Sequence, residues 1–337
     1  MRLGKSGLKV SRIILGCMTY GGGNWAGQNW LPDEEEAIKH IKYAYDAGIQ
    51  TFDTANMYSN GGSEEVLGRA IKQLNLPRED IVVMTKFTGY VFPNSTVDMV
   101  LDPATIEGEG VVRCVNQWGH SRKHIFDTVK ASLKRLQLDY IDVLQVHRYR
   151  EDYPMEELME ALHDVVKAGY VRYIGMSGCY AWQCETVCID YAINNRLTPF
   201  ISMQDRHSLV YREEEREMFP TLEHFGVSSI PYHSLARGIL CRPFSQQAAT
   251  KRGEDASVSK THVCLNLSVE EVAKKRDVSM AQVAIAWELS KSVVAAPVVG
   301  TTKLENIKDI IEGVFLELSE EEIKYLEEPY RPMDLMI

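Results

Sequence analysis

The sequence predicts an α/β fold, a (β/α)8 (TIM) barrel with an N-terminal β-hairpin, long loops after the third and seventh strands, and extra C-terminal helices. Three observations carry that prediction. Eight short apolar runs alternate with amphipathic helical patterns along 337 residues. Three successive runs, at 49–52, 81–86 and 140–147, deliver Asp53, Lys86 and His147 to their C-terminal ends, and Tyr58 follows Asp53 by one short loop. Residues at strand C-termini of such barrels read as catalytic, and neighbouring strands lie about 4.8 Å apart, so these four side chains are expected to converge.

The elements follow in order. Residues 3–10, with Gly4 and Gly7 around Lys5-Ser6, read as a hairpin ahead of a first strand at 12–16. A loop at 17–30, rich in glycine and aromatics, leads to a helix over 33–47, with acids in its first turn and Gly48 past its end. After the second strand comes a helix over 63–74. The third strand ends at Lys86, and residues 87–120 then show no period and contain Pro93 and Pro103. A loop that long in a compact domain is usually functional, and this one is read as a flap over the substrate site.

Ser121 caps a helix reaching 136. The fourth strand, a helix over 155–168, a strand at 171–177, a helix over 180–194 and a strand at 200–204 follow. Next come a helix over 213–225, whose acids 213–217 read as a solvated face, and a strand at 227–232. Residues 233–267 form the second long segment, read as mobile and able to fold over a cofactor. Helices at 268–276 and 279–290, a strand at 295–299 and a helix over 304–313 complete the barrel. A last helix over 319–327 carries an S-x-x-E capping box at Ser319 and Glu322. With no interdomain linker, residues 1–337 are expected to form a single domain.

Composition narrows the function. The net charge of −10 argues against a general binder of nucleic acid or anionic membrane. No apolar run approaches the ~18 residues of a spanning helix, and the N-terminus shows no signal peptide, so a cytoplasmic location is expected. Seven scattered cysteines without a C-x-x-C pair read as free thiols in a reducing compartment. Histidines lack H-x-H or H-E-x-x-H spacing, so no metal site is expected.

The four strand-end residues suggest one chemistry. A free tyrosine, with a pKa of about 10, is a poor acid near neutrality. An adjacent ammonium favours the phenolate, so Lys86 is expected to lower the Tyr58 pKa while Asp53 secures Lys86. His147 can orient a carbonyl oxygen. Tyr58 then protonates that oxygen as hydride reaches the carbon, and the hydride has to come from a nicotinamide cofactor. No G-x-G-x-x-G occurs, so the nucleotide needs another site. Gly300-Thr301-Thr302-Lys303, after the eighth strand and at a helix start, makes an anion cradle.

The segments GIQTFDTANMYSNGGSEEVLG, VVMTK and DVLQVHR resemble the signature regions of the aldo-keto reductases. The resemblance runs from LGKSGLKVSRIILGCMTYGGG to PVVGTTKLENIKDII, and its flavour is that of the fungal aryl-alcohol dehydrogenase-like branch. It implies an NADPH-dependent reductase of aldehydes and ketones, aromatic aldehydes among them, with NADH as the alternative cofactor. Asp53, Tyr58, Lys86 and His147 match the family tetrad residue by residue.

By the same resemblance, Ser177 and Gln204 bind the nicotinamide amide and Tyr232 stacks on its ring. Leu235, Arg237 and Gly238, in HSLARG, lie along the pyrophosphate. Gly300, Thr302, Lys303, Asn306 and Asp309 hold the adenosine 2′-phosphate, and Thr19 and Asp53 complete the cofactor contacts. Tyr20, Trp25, Tyr58, Tyr90, His147 and Arg148 make the expected substrate pocket. Three departures stand out: Gly178 replaces the usual asparagine after Ser177, His233 replaces a serine, and the phosphate loop lacks an arginine. Two rival readings remain at this stage. One is a nucleotide-binding subunit of the ion-channel β type. The other is a lyase using Lys86 as a Schiff base.

Overall fold

The computed structural model describes residues 1–22, 31–92, 115–249 and 260–336. Trp25, most of the first long segment (93–114) and part of the second (250–259) lie outside the described residues. Among the described residues eight strands are present: β1 (Ile14–Gly16), β2 (Thr51–Asp53), β3 (Val82–Phe87), β4 (Ile141–Val146), β5 (Val171–Ser177), β6 (Phe200–Gln204), β7 (Ser228–Ser229) and β8 (Val298–Val299). They pair in parallel in the order β7-β6-β5-β4-β3-β2-β1-β8. Parallel bridges Ser229–Val294 and Tyr232–Val298 bring the two ends of the sheet together. The result is a (β/α)8 barrel.

Alternation along the strands sorts side chains between two cores. Ile14, Met84, Val143, Ile201 and Ile230 pack inside the barrel with Leu3 and Val10 of the hairpin. Leu15, Phe52, Val83, Leu144, Ile174 and Met203 face the surrounding helices. Lys86 lies two residues beyond Met84, and Gln145 two beyond Val143. The parity that fills the barrel floor therefore also aims Lys86 and Gln145 into its mouth.

The helices are α1 (Glu34–Asp46), α2 (Gly62–Gln73), α3 (Arg122–Leu136), α4 (Met155–Lys167), α5 (Tyr191–Asn194), α6 (Met218–Phe225), α7 (Lys260–Arg276), α8 (Met280–Leu289), α9 (Leu304–Glu312) and α10 (Glu320–Glu327). Caps expected from sequence are formed. Ser121 Oγ accepts from His124 N, and Ser319 and Glu322 make the reciprocal box.

Three expectations need correction. The expected helix over 180–194 is π-helical over Gln183–Asp190 before α5. Helix α7 begins at Lys260, well before the expected 268. There Leu265, Val269 and Val272 pack with Ile239 and Leu240, while Asn266 Nδ2 donates to the carbonyls of Ile239 and Arg242. The acids 213–217 are not a solvated helix face. Glu213 and Glu214 are buried, and the C-terminal tail crosses Glu213: Tyr330 Oη and Met333 N both donate to Glu213 Oε1.

Candidate active site

Strand β2 ends at Asp53, and the chain then makes a tight turn. Ser59, Asn60 and Gly61 all take left-handed backbone angles, with φ of 47°, 52° and 94°. This turn folds Tyr58 back over β3. Asn60 fixes it by donating from Nδ2 to Phe92 O (2.8 Å) and accepting from Phe92 N (2.7 Å).

At the barrel mouth Lys86 Nζ donates to Asp53 Oδ2 (2.5 Å), Thr54 O (3.0 Å) and Tyr58 Oη (3.3 Å). The ring of His147 meets that of Tyr58 edge-on, with centroids 5.6 Å apart. All four residues of the expected tetrad therefore come together. Asp53 Oδ1 accepts from Gln145 Nε2 (2.8 Å) and Gln204 Nε2 (3.0 Å), which fixes the carboxylate from the far side. Gln145 was missed in the sequence. Its signal was an amide near the end of a mostly apolar strand, at the position directly paired with Lys86 across β3 and β4.

The electrostatics follow from burial. Burial works against the Lys86 charge, but Asp53 and Tyr58 outweigh it and hold the ammonium above its ordinary range. Burial raises the Tyr58 phenol, Asp53 adds to the rise, and Lys86 and Arg148 pull it down. The net direction is upward, against the expectation that Lys86 lowers the phenol: Lys86 moderates a rise caused by desolvation. The phenol stays protonated at neutrality, the form that donates. Burial, with Lys86 and Arg148, pushes His147 well below the usual histidine range, so its ring is neutral.

A pocket of about 150 Å³ opens beside the tetrad, lined by Met57, Thr88, Gly89, His147, Arg148, Tyr149 and Arg150. Thr88 is a β-branched residue at φ 127°, a costly conformation. Gly119 N donates to Thr88 O (2.8 Å), and Thr88 Oγ1 lies 3.3 Å from His120 Nε2. His120 Nε2 donates to Arg148 O (2.9 Å), tying the ends of β3 and β4 together. Sequence reading passed over Thr88 and His120. A larger open depression beside α10, of about 500 Å³, touches none of these residues.

Two expected pocket residues are placed elsewhere. Tyr20 is fully buried in the outer core, where its hydroxyl meets His40 Nδ1 of α1 (3.2 Å), so it does not line the pocket. Tyr90 is buried edge-on against Phe92, with centroids 4.5 Å apart, although its neighbour Gly89 does line the pocket.

The residues expected to hold a nicotinamide nucleotide sit along the ends of β5 to β8. Ser177 Oγ donates to Gln204 O (2.8 Å), and the Gln204 amide is turned inward to Asp53. Thr19 Oγ1 donates to Thr301 O (3.4 Å), closing the first loop onto the last. A Cβ on Gly300 would lie 2.8 Å from Gly16 O, so only glycine fits there. Asn306 Nδ2 donates to Thr301 Oγ1, bracing the cradle, while Thr302 and exposed Lys303 lie at the rim.

Asp309 departs from expectation. Both its oxygens accept from α8 and its cap, from Gln282 Nε2 and Ser279 Oγ, so it braces a helix pair. Between Tyr232 and Gly238 the chain takes left-handed angles at His233, Ala236, Arg237 and Gly238. Ser234 Oγ and Asp205 Oδ2 are buried there without a hydrogen-bond partner among the described residues. The orphaned Ser234 hydroxyl, a glycine-lined approach and a hydroxyl-rich helix start suit an anionic nucleotide.

Comparison with known proteins agrees with this geometry. The aldo/keto reductase family model matches residues 12–331. Versiconal hemiacetal acetate reductase of Aspergillus parasiticus is 45% identical, covering 98% of this chain and 96% of its own length. Putative aryl-alcohol dehydrogenases of Schizosaccharomyces pombe and Saccharomyces cerevisiae are 46% and 41% identical; they cover 99% and 98% of this chain, and 96% and 97% of their own lengths. Barrel and comparisons together define an oxidoreductase. The chain belongs to the aldo/keto reductase family.

Proposed function

We propose that this oxidoreductase uses NADPH to reduce small carbonyl compounds, aromatic aldehydes in particular, to alcohols, with Tyr58 as proton donor. The observation that carries the reading is the buried Lys86 ammonium, bonded at once to Asp53 and Tyr58. The relatives named as aryl-alcohol dehydrogenases support the aromatic substrate class.

The bound nicotinamide would supply hydride to the carbonyl carbon. Neutral His147 donates a hydrogen bond to the carbonyl oxygen and orients it towards Tyr58. As charge builds on that oxygen, Tyr58 Oη gives up its proton, and Lys86 Nζ stabilises the phenolate left behind. Asp53, held by Gln145 and Gln204, keeps Lys86 in place and charged. Ser177, Gln204, Tyr232, Leu235, Arg237 and Gly238 flank the nicotinamide end. Gly300, Thr302, Lys303 and Asn306 make the adenosine end, where Lys303 supplies the positive charge that a 2′-phosphate needs.

A Schiff-base role for Lys86 is disfavoured, since a nucleophilic amine has to be unprotonated and Asp53 holds this one charged. The named relatives are enzymes, and nothing in the described residues favours the channel-subunit reading. The test is near-ultraviolet absorbance of NADPH and of NADH with a panel of benzaldehydes. Consumption that depends on aldehyde, and is faster with NADPH, is expected. No consumption of either cofactor across the panel refutes the reading.

A further inference from the structure

Gly178 departs from the family pattern, and the structure supplies a physical reason. Its φ is +59°, and a Cβ built on it would overlap Arg148 Nη1 and lie 2.6 Å from Arg148 Cδ. The Arg148 side chain fills the space that any side chain at 178 would need. Tyr149 N donates to Gly178 O (3.1 Å), and His120 Nε2 donates to Arg148 O (2.9 Å), so the backbone on either side of the guanidinium is fixed. The result is an arginine set into the wall of the pocket that also contains His147.

Among the described residues the charge of this arginine is uncompensated. Its one hydrogen bond is from Nη1 to His147 O (3.1 Å), and no carboxylate pairs with it among the described residues. The second arginine of the pocket differs: Arg150 is engaged by both oxygens of Asp152 and lies over the Trp118 ring. Among the described residues no acid lines the pocket. Lys86 is balanced by Asp53, and His147 is neutral. Asp205, the buried carboxyl that feels Arg148, is pushed well above the usual range, by burial first and then by Glu214 and Cys184. An arginine in the wall of a small pocket, with no counter-ion among the described residues, matches a carboxylate in shape and charge.

We propose that Arg148, seated in the space left by Gly178, recognises a carboxylate on the substrate, so that the preferred substrates are carbonyl compounds bearing a carboxylate. This rests on the reductase reading above, and it names the substrate class for the same site.

The probes are 3- and 4-carboxybenzaldehyde and their methyl esters, which differ in charge at one end of the ring. For each pair, the kcat/KM ratio of acid to ester is measured in wild type, Arg148→Gln, Arg148→Lys and Gly178→Ala. Wild type is expected to favour at least one acid over its ester. The ratio should fall about tenfold or more in Arg148→Gln, in keeping with a hydrogen bond to a charged group. Arg148→Lys should restore part of it. Gly178→Ala, which keeps the arginine but displaces it, should lower the ratio as well.

If the esters are reduced and the ratio is the same in wild type and Arg148→Gln, the inference is overturned while the reductase reading stands; a raised KM for NADPH alone would assign Arg148 to the cofactor. If no aldehyde is reduced, the reductase reading fails, and calorimetry with benzoate still decides the anion site. Binding to wild type and not to Arg148→Gln supports the site, and equal or absent binding overturns it.

Discussion

Replacing Asp53 by asparagine removes the charge partner of Lys86 and keeps the shape. Lys86 is fully buried and would keep only Thr54 O and Tyr58 Oη. Breaking a buried pair from one side costs about 3–5 kcal/mol. At neutrality that cost has a ceiling, because the lysine can shed its proton instead. From a free pKa of about 10.4 down to pH 7 is about 3.4 units at about 1.36 kcal/mol each, or about 4.6 kcal/mol. At pH 9 the same ceiling is about 1.9 kcal/mol.

The sign follows from linkage. In the wild type Lys86 is held above its ordinary range, so its contribution is complete below that range and is lost only as pH rises through the raised value. In Asp53→Asn the folded lysine is depressed, the unfolded chain binds more protons, and stability rises with pH. Urea unfolding should therefore show a gap of about 3 to 4.6 kcal/mol at pH 7 that shrinks below about 2 kcal/mol at pH 9. The double variant Asp53→Asn/Lys86→Met should recover much of the loss at pH 7. A gap under about 0.5 kcal/mol at pH 7, or one that does not narrow by pH 9, would refute the claim that Asp53 secures a buried ammonium.

Further outcomes follow from the packing. A Cβ on Gly68 of α2 would lie 2.5 Å from Leu136 O of α3, so Gly68→Ala should destabilise by about 1–3 kcal/mol despite alanine's helix preference, as urea midpoints would register. Burial lowers His120 and His124 to about 4, so each favours the fold above pH 6.5 and loses that support as pH falls towards 4. At pH 5 each should cost about 2 kcal/mol relative to pH 7, and His124→Phe should lose about 2 kcal/mol less over that interval in urea titrations. His207 acts oppositely. Burial opposes its charge, but Glu288 and Glu215 raise it to about 9, so its support persists in acid and fades as pH rises through 9. His207→Phe should flatten the stability profile between pH 7 and pH 9.

The tetrad was legible because each member ends, or closely follows, an apolar run of strand length, and chain order alone puts those ends side by side. Short-range signals also revealed the capping residues Ser121 and Ser319. What sequence hid depends on distant partners. Glu213 looked solvated because nothing local shows that Tyr330, 117 residues away, covers it. Tyr20 looked like a pocket aromatic because its bond to His40 depends on how the first loop turns under α1. The start of α7 depends on packing against residues 239–242, which periodicity within the helix cannot report. The Gly178 departure made physical sense only when Arg148 was seen in its space.

The central claim is that Tyr58 delivers the proton, and the most direct measurement compares wild type with Tyr58→Phe. Aldehyde-dependent loss of NADPH absorbance is followed beside NADPH binding by fluorescence. The account predicts that reduction falls by about 100-fold or more in the variant, in keeping with loss of a general acid, while NADPH still binds. A Tyr58→Phe enzyme that reduces aldehydes at the wild-type rate would contradict it.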